Sequence, residues 1–210
     1  MMAMPIRRKW LIVAALAFLG VFVLCGIGLG VIVLGFECAP PPPPACPMDT
    51  LLIDQTVIPE PLIELGRDEP ADRYGVEFEE IRFFHPLEEY GGDIRQTVYR
   101  GLNEQQAARG YRDFVDSYFY PGSYFFCRDE GAVWELPPEM TFESSIADEW
   151  RLGCTAGCST EPQYCQYIGR YGVYFVWYYA WMSDVVTYAE FENILEDIDG
   201  RMAQCVEQAK

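Results

Sequence analysis

Hydrophobic residues are distributed unevenly along the chain, and the longest uninterrupted run lies near its N-terminus. From Trp10 to Phe36 no charged residue occurs in 27 positions. About 20 apolar residues suffice for a helix to cross a bilayer, so the pattern predicts a transmembrane helix over residues 10–36. The run is also longer than the apolar part of a cleavable signal peptide, which is about 7–15 residues. This length favours an uncleaved signal anchor.

Cleavage and lipidation are the two alternatives to an uncleaved anchor. A signal peptidase prefers small residues in an Ala-x-Ala-like site, but Glu37 occupies the position two residues before Ala39. Lipidation needs a cysteine behind small residues. Cys25 follows Val-Leu and Cys38 follows Phe-Glu, so neither fits this requirement.

The basic residues predict the orientation of the anchor. Arg7, Arg8 and Lys9 precede the apolar run, and the next basic residue is Arg67. Because basic residues concentrate on the cytoplasmic side, we expect residues 1–9 in the cytoplasm and the C-terminal bulk outside the cell.

Within the predicted span, Gly26 and Gly30 form a Gly-x-x-x-Gly pair. Small residues four apart let two membrane helices approach closely. A homodimer through this surface is therefore one hypothesis, although glycine is common in membrane helices for other reasons.

A proline-rich stalk is predicted at residues 37–48. Positions 40–44 are all proline, and such a run favours the extended polyproline II helix. We interpret this segment as a spacer between the membrane and a domain at residues 49–210.

The pattern in residues 49–210 predicts an α+β domain with an antiparallel sheet and two packed helices. Asn103 and Thr187 are good N-caps before amphipathic segments. Residues 164–182 are apolar at both alternating sets of positions, which is typical of a central strand covered on both sides. The predicted helices cover 103–120 and 187–206, and the predicted strands cover 74–84, 94–100, 144–152 and 164–182.

Aromatic residues are dense in the C-terminal half of the chain. Such rings fill a core or line a ligand cleft, and filling a core is the more common of the two roles. If some of these rings are exposed, Tyr178, Tyr179 and Trp181 are the ones we would test first.

Seven of the eight cysteines follow the predicted span, where disulfides are expected outside the cytoplasm. Cys154 and Cys165 lie at facing ends of two predicted strands, which suits a bridge between them. Cys205 lies on the inward face of the last helix, and Cys127 and Cys158 are its candidate partners.

An odd number of cysteines leaves at least one without a partner in the same chain. Cys38 or Cys46 is the candidate, and an interchain bridge there would suit a dimer. A zinc site at Cys154, Cys158 and Cys165 is the competing interpretation, but the spacing lacks the usual Cys-x-x-Cys pairs and a clear fourth ligand.

Charge and motif content exclude several classes of function. The chain has a net charge of −17, and the residues after position 36 carry −20, which argues against nucleic-acid binding. His85 is the only histidine, and the sequence has no Gly-x-Ser-x-Gly motif and no phosphate-binding loop outside the span. We therefore predict no catalytic residue, no metal ligand and no cofactor, and no pattern in the sequence identifies ligand-binding residues.

Three sequence features resemble a group of uncharacterised bacterial single-pass membrane proteins: ADEW at 147–150, Cys154, and the segment from Cys165 through IGRYGVY at 168–174. The resemblance covers about residues 100–210. It implies an extracytoplasmic α+β domain with a cysteine-bearing hairpin and a closing helix, and it implies no catalytic residue. The chain is more distantly similar to the extracellular sensor domains of bacterial receptor kinases.

Together these features predict a membrane-anchored extracytoplasmic binding or sensor-like module without catalytic activity. Its partners would be the lipid bilayer, through residues 10–36, and an unknown protein or small apolar ligand. The alternatives are a structural subunit of a cell-envelope complex and an extracytoplasmic hydrolase that uses carboxylates.

Overall fold

The fold is built around one antiparallel sheet. The computed structural model describes residues 46–73, 76–86, 93–120, 133–156 and 163–208. These residues form a short 3-10 helix at Met48–Thr50, seven strands and two α-helices. The strands are β1 (Ile63–Arg73), β2 (Val76–Phe84), β3 (Ile94–Arg100), β4 (Val133–Glu135), β5 (Glu149–Ala156), β6 (Tyr164–Tyr171) and β7 (Tyr174–Trp181), and the helices are α1 (Glu104–Tyr118) and α2 (Tyr188–Gln208). The strand order is β1-β2-β3-β7-β6-β5-β4, so the α+β prediction is confirmed and the sheet is larger than predicted.

Several predicted features lie outside the described residues. They are the span at 10–36, the run of prolines, Cys38, Cys127 and Cys158. No helix within the described ranges is long and apolar enough to span a membrane.

Both predicted helices form, and both begin at the predicted caps. The Asn103 side chain accepts a hydrogen bond from the Gln106 backbone N–H at 2.9 Å. The Thr187 hydroxyl accepts one from the Glu190 backbone N–H at 3.3 Å. These bonds satisfy backbone donors that the first helical turn leaves open.

The segment predicted as one strand at 164–182 is a hairpin of β6 and β7. Tyr171 pairs with Tyr174 across a two-residue turn, and Gly172 there has φ of 62°, a conformation that glycine adopts without steric cost. Alternation gave no sign of the turn because side chains on both faces are apolar. The prediction of a central strand is confirmed for β7, which is the fourth of the seven strands in the described sheet.

The outermost strands, β1 and β4, carry no pattern that predicts them. Six of the eleven residues of β1 are charged and one is proline, while β4 has only three residues. Edge strands tolerate charge and proline because one side of the strand needs no hydrogen-bonded neighbour.

One face of the sheet, called the α2 face, carries Tyr174, Val176, Tyr178 and Ala180 of β7. Helix α2 packs in the same core cluster as these residues. The opposite face, called the α1 face, carries Phe175, Trp177 and Tyr179 and packs with residues of helix α1. The sheet is therefore covered on both sides, as the two apolar faces of β7 require.

Residues 46–62, called the strap, complete the cover of the α2 face. The strap contains no strand, yet Leu51, Leu52, Ile53 and Leu62 are buried in the same core as α2. Cys46 and Met48 are also buried there. The folded domain therefore includes residues that the sequence assigned to the stalk.

The side chain of Gln96 on β3 forms hydrogen bonds with the backbone of the strap, which pairs with no strand among the described residues. The Ile53 backbone N–H donates to Gln96 Oε1 at 2.6 Å, and Gln96 Nε2 donates to the Leu51 carbonyl at 3.1 Å. Gln96 is fully buried, so these bonds satisfy both ends of its amide and two backbone groups of the strap.

Two disulfides lie in the described part of the chain. Cys154 and Cys165, register partners on β5 and β6 with Cα atoms 4.0 Å apart, form the predicted bridge. The pairing predicted for Cys205 is wrong: it bonds to Cys46, with Cα atoms 5.8 Å apart, and not to Cys127 or Cys158. Cys46 is consequently not available for an interchain bond, because the strap returns it to the last turns of α2.

Replacing Gln96 by Ala should destabilise the protein strongly. The substitution leaves the Ile53 N–H and the Leu51 carbonyl buried without partners, which should lower the free energy of unfolding by about 2 kcal/mol or more. Urea unfolding with the disulfides intact, followed by tryptophan fluorescence, measures the loss. Gln105→Ala, at an exposed position of α1, is the matched control and should change stability by less than about 0.5 kcal/mol. Equal effects of the two variants would contradict the assigned role of Gln96.

Candidate functional site

Helix α1 packs on the α1 face through aromatic side chains. Phe114 lies 5.2 Å from Phe175 and 6.0 Å from Trp177 between ring centroids, and Tyr118 lies 4.4 Å from Trp177. Gly110 allows the close approach, since a Cβ atom there would be 2.7 Å from the Phe175 ring. The helix therefore lies against β6 and β7 at a position set by these contacts.

The same face carries a group of polar residues on β2 and β3. Glu80 and Arg82 of β2 pair in register with Thr97 and Arg95 of β3, respectively. Asp93 immediately precedes β3 and has the same parity as Arg95 and Thr97. These five residues are called the Glu80 cluster. Side chains two apart on a strand share a face, so the register of the two strands brings them together.

Glu80 is the centre of this cluster, and only 2% of it is exposed. Its Oε1 accepts a hydrogen bond from Arg82 Nε at 2.5 Å. Its Oε2 accepts one from the Thr97 hydroxyl at 3.0 Å and forms an ion pair with Arg95. Removing charges from water is costly even when they are paired, so the cluster adds little to stability compared with an apolar packing of the same volume.

Arg95 connects the Glu80 cluster to two aromatic rings of β7. Its guanidinium carbon is 5.6 Å from the Trp177 ring centroid and 6.0 Å from that of Tyr179, within the range of cation–π attraction. Burial opposes the charge of Arg95, but hydrogen bonds to Tyr179 and Glu80 outweigh it and raise the pKa. Arg95 Nε is buried without a hydrogen-bond partner in the described structure, while about a quarter of the side chain is exposed.

Asp93 is the second acid of the cluster. Burial raises the pKa of its carboxyl, and the charges of Arg82 and Arg95 oppose that shift without cancelling it. A partly buried carboxyl with a raised pKa beside other charges is a common feature of functional sites.

The three aromatic residues singled out from the sequence divide between the two faces. Tyr178 is fully buried on the α2 face and packs on Phe191 of α2, with ring centroids 4.6 Å apart. Tyr179 and Trp181 belong to the α1 face and are half-buried. The expectation that the rings fill the core is confirmed for Tyr178, whereas Tyr179 contributes to the site.

A second group of acids lines a surface hollow of about 400 Å³ between α2 and residues 141–145. Glu192 Oε1 accepts hydrogen bonds from the backbone N–H groups of Thr141 and Phe142. Asp199 Oδ1 accepts one from the Tyr171 hydroxyl at 2.5 Å. These carboxylates hold a loop and a buried tyrosine in place, so the hollow is largely a consequence of structural hydrogen bonds.

The described residues contain no group of three or more His, Cys, Asp or Glu side chains arranged to hold a metal ion. The zinc interpretation is wrong for Cys154 and Cys165, because their sulfurs are joined in a disulfide. His85 directly follows β2 and lies outside regular secondary structure.

No protein-family model matches this sequence, and no curated protein matches it significantly. The resemblance to bacterial single-pass membrane proteins therefore stays a prediction.

Sequence reasoning did not identify the Glu80 cluster. In the sequence, Glu79 and Glu80 are one of many acidic pairs in an acidic chain, so nothing distinguishes them. The available signal was that Glu80 and Arg82 alternate on one predicted strand, and Arg95 and Thr97 on another. That signal has meaning only when the register between the strands is known.

Asp93→Asn should stabilise the protein at neutral pH. The folded-state pKa of Asp93 is raised, so ionisation of this group costs stability at pH values above that pKa, and the cost disappears as the pH falls through it. Asn has nearly the same shape and no charge. The variant should therefore show a higher free energy of unfolding at pH 7 than the parent, and no such gain near pH 3.

Denaturant unfolding at both pH values measures the difference. Asp113→Asn, at an exposed position of α1, is the control and should not show this pH-dependent gain. A loss of stability in Asp93→Asn at pH 7 would instead mean that the two arginines require the charge of Asp93.

Proposed function

We propose that this chain is a membrane-anchored extracytoplasmic binding or sensor-like module without catalytic activity. The predicted anchor at 10–36 and the basic residues before it support the location. The two disulfides support it independently, because such bonds persist in oxidising compartments and are rare in the cytosol.

One observation supports a binding role above the others: the contact of Arg95 with Glu80, Trp177 and Tyr179. Arginine and aromatic side chains dominate the energetics of binding surfaces. Here the ionic and aromatic groups adjoin each other, and about a quarter of the Arg95 side chain is exposed. Folding alone gives no reason to retain the buried charge of Glu80, since apolar residues would fill the same space at lower cost.

The chemistry of the cluster restricts the ligand. The guanidinium group provides only donors, so the ligand must carry an oxygen acceptor beside an apolar or planar group that contacts the rings. The strong negative charge of the residues after position 36 disfavours a highly anionic ligand. A carbonyl group of a peptide or of a small, largely apolar molecule fits both conditions.

The carboxylate hydrolase receives less support from the same cluster. Glycosidase-type chemistry requires two carboxyl groups that can both reach the substrate. Both oxygens of Glu80 are engaged by Arg82, Thr97 and Arg95, which leaves Asp93 as the remaining acid of the cluster.

A structural subunit of an envelope complex is a second candidate, and the outer edge of the sheet favours it. Among the described strands β1 pairs only with β2, and its residues Ile63 and Leu65 are 45% and 61% exposed. An open edge with exposed apolar side chains can accept a strand from another protein.

Site-specific photo-crosslinking in intact cells tests these two candidates together. We expect a benzophenone amino acid at Trp181, on the α1 face next to the cluster, to give an ultraviolet-dependent adduct. Arg95→Lys should reduce this adduct several-fold, because lysine cannot reproduce the planar contact with the rings. The same probe at the exposed Gln105 of α1 is the matched control.

A probe at Ile63 reports on the sheet edge. An adduct from Ile63 alone would support the structural subunit and contradict the binding site on the α1 face. Equal adducts from Trp181 and Gln105, or a Trp181 adduct that Arg95→Lys does not change, would also contradict the proposed binding site.

A further inference from the structure

The two disulfides of the described structure differ in their surroundings. All four cysteines belong to the same core, but Cys154 and Cys165 are only 1% and 0% exposed. They lie on two paired strands, and Cys154 Sγ contacts Met140 Sδ at 3.8 Å. Cys46 and Cys205 line a surface groove of about 580 Å³ between the start of the strap and α2. Within the part of the chain that the structure describes, the second bond therefore has a groove beside it.

One position of α2 that lines the groove is a glycine, which carries no side chain. A Cβ atom at Gly200 would meet no other atom within 4 Å, and Gly200 lines the groove together with Thr50, Gln204 and the two cysteines. Glycine is unfavourable inside a helix by about 1 kcal/mol relative to alanine. At this position the residue leaves room for a small molecule to approach the disulfide.

The strap is attached to the domain at separate points along its length. Its first residue is joined to α2 by the Cys46–Cys205 bond, and the Cys46 carbonyl accepts a hydrogen bond from the Tyr174 hydroxyl at 3.2 Å. Further along, Gln96 binds Leu51 and Ile53, and Arg201 of α2 donates to the Leu52 carbonyl and to Asp54, each at 2.9 Å. Loss of the disulfide would leave residues 51–54 bound and would free mainly residues 46–50.

We propose that the Cys46–Cys205 disulfide is a redox-sensitive latch that a dithiol can open in the folded protein, releasing residues 46–50, while Cys154–Cys165 stays oxidised. The rest of the strap continues to cover the sheet. Met48, which is buried in the closed state, becomes exposed when the latch opens. This inference does not depend on the ligand proposed above.

The chemistry is thiol–disulfide exchange. Cys46 is 8% exposed and Cys205 is 3% exposed, so the thiolate of the dithiol attacks the Cys46 sulfur. The Cys46–Cys205 bond breaks, and Cys205 leaves as a thiolate that takes up a proton from water. The second thiol of the reductant then attacks the reductant's first sulfur, which is bonded to Cys46 in the mixed disulfide. This step releases Cys46 as a thiol and yields the oxidised, cyclic reductant. Two electrons pass from the dithiol to the protein.

Differential alkylation of the full-length protein in detergent tests the latch. Free thiols are first blocked with N-ethylmaleimide, the protein is treated with dithiothreitol under native conditions, and the newly formed thiols are labelled with iodoacetamide and located by peptide mass spectrometry. We expect Cys46 and Cys205 to be labelled about tenfold or more faster than Cys154 and Cys165. Hydrogen exchange should increase in residues 46–50 and stay unchanged in β6 and β7.

A double variant, Cys46→Ala with Cys205→Ala, provides the control. Without reductant it should show the same rapid exchange in residues 46–50, and dithiothreitol should not change that exchange further. If the variant fails to fold, the relative labelling rates of the two disulfides in the parent protein still test the proposal. Equal labelling rates for the two disulfides would overturn the proposal. So would labelling of Cys46 that is no faster than global unfolding of the protein.

Discussion

The β6–β7 hairpin carries hydrophobic side chains on both of its faces, and the rest of the described structure depends on covering them. Tyr167 and Tyr178 point to one side, while Ile168 and Trp177 point to the other. A sheet with two apolar faces is stable in water only when something packs on each of them. Helix α1 covers one face, and helix α2 covers the other together with the strap. The arrangement in layers follows from this one requirement.

The strap shows how a segment that contains no strand and only one short 3-10 helix can belong to a core. Four of its apolar residues are at most 1% exposed: Leu51, Leu52, Ile53 and Leu62. Such burial requires that its backbone groups find partners. Gln96 supplies two of these partners, and Arg201 supplies a third. The disulfide to Cys205 fixes the point where the strap begins. Each of these contacts joins residues far apart in the chain.

Gln96 and the Glu80 cluster lie on opposite faces of the sheet and differ in the groups that their hydrogen bonds satisfy. Gln96, on the α2 face, has a complete structural explanation, because its partners are backbone groups that would otherwise be unsatisfied. In the Glu80 cluster on the α1 face, the hydrogen bonds and ion pairs of Glu80 are made to other members of the cluster, so its charged groups mainly neutralise one another. A buried charge group that no neighbouring backbone requires is a reason to look for a ligand. This difference is why the α1 face, and not the equally polar surroundings of Gln96, is the proposed binding surface.

The sequence by itself determined the features that depend on residues close together in the chain. The caps at Asn103 and Thr187, the two amphipathic helices and the Cys154–Cys165 bridge all follow from spacing within short segments, and the apolar run at 10–36 predicts an anchor on the same basis. Only the tertiary structure decided that Cys46 pairs with Cys205, 159 residues away, and that Glu80 meets Arg95 and Trp177. The helices and caps are set by bonds within a turn or two. Long-range contacts depend on strand register and chain closure, which local patterns do not encode.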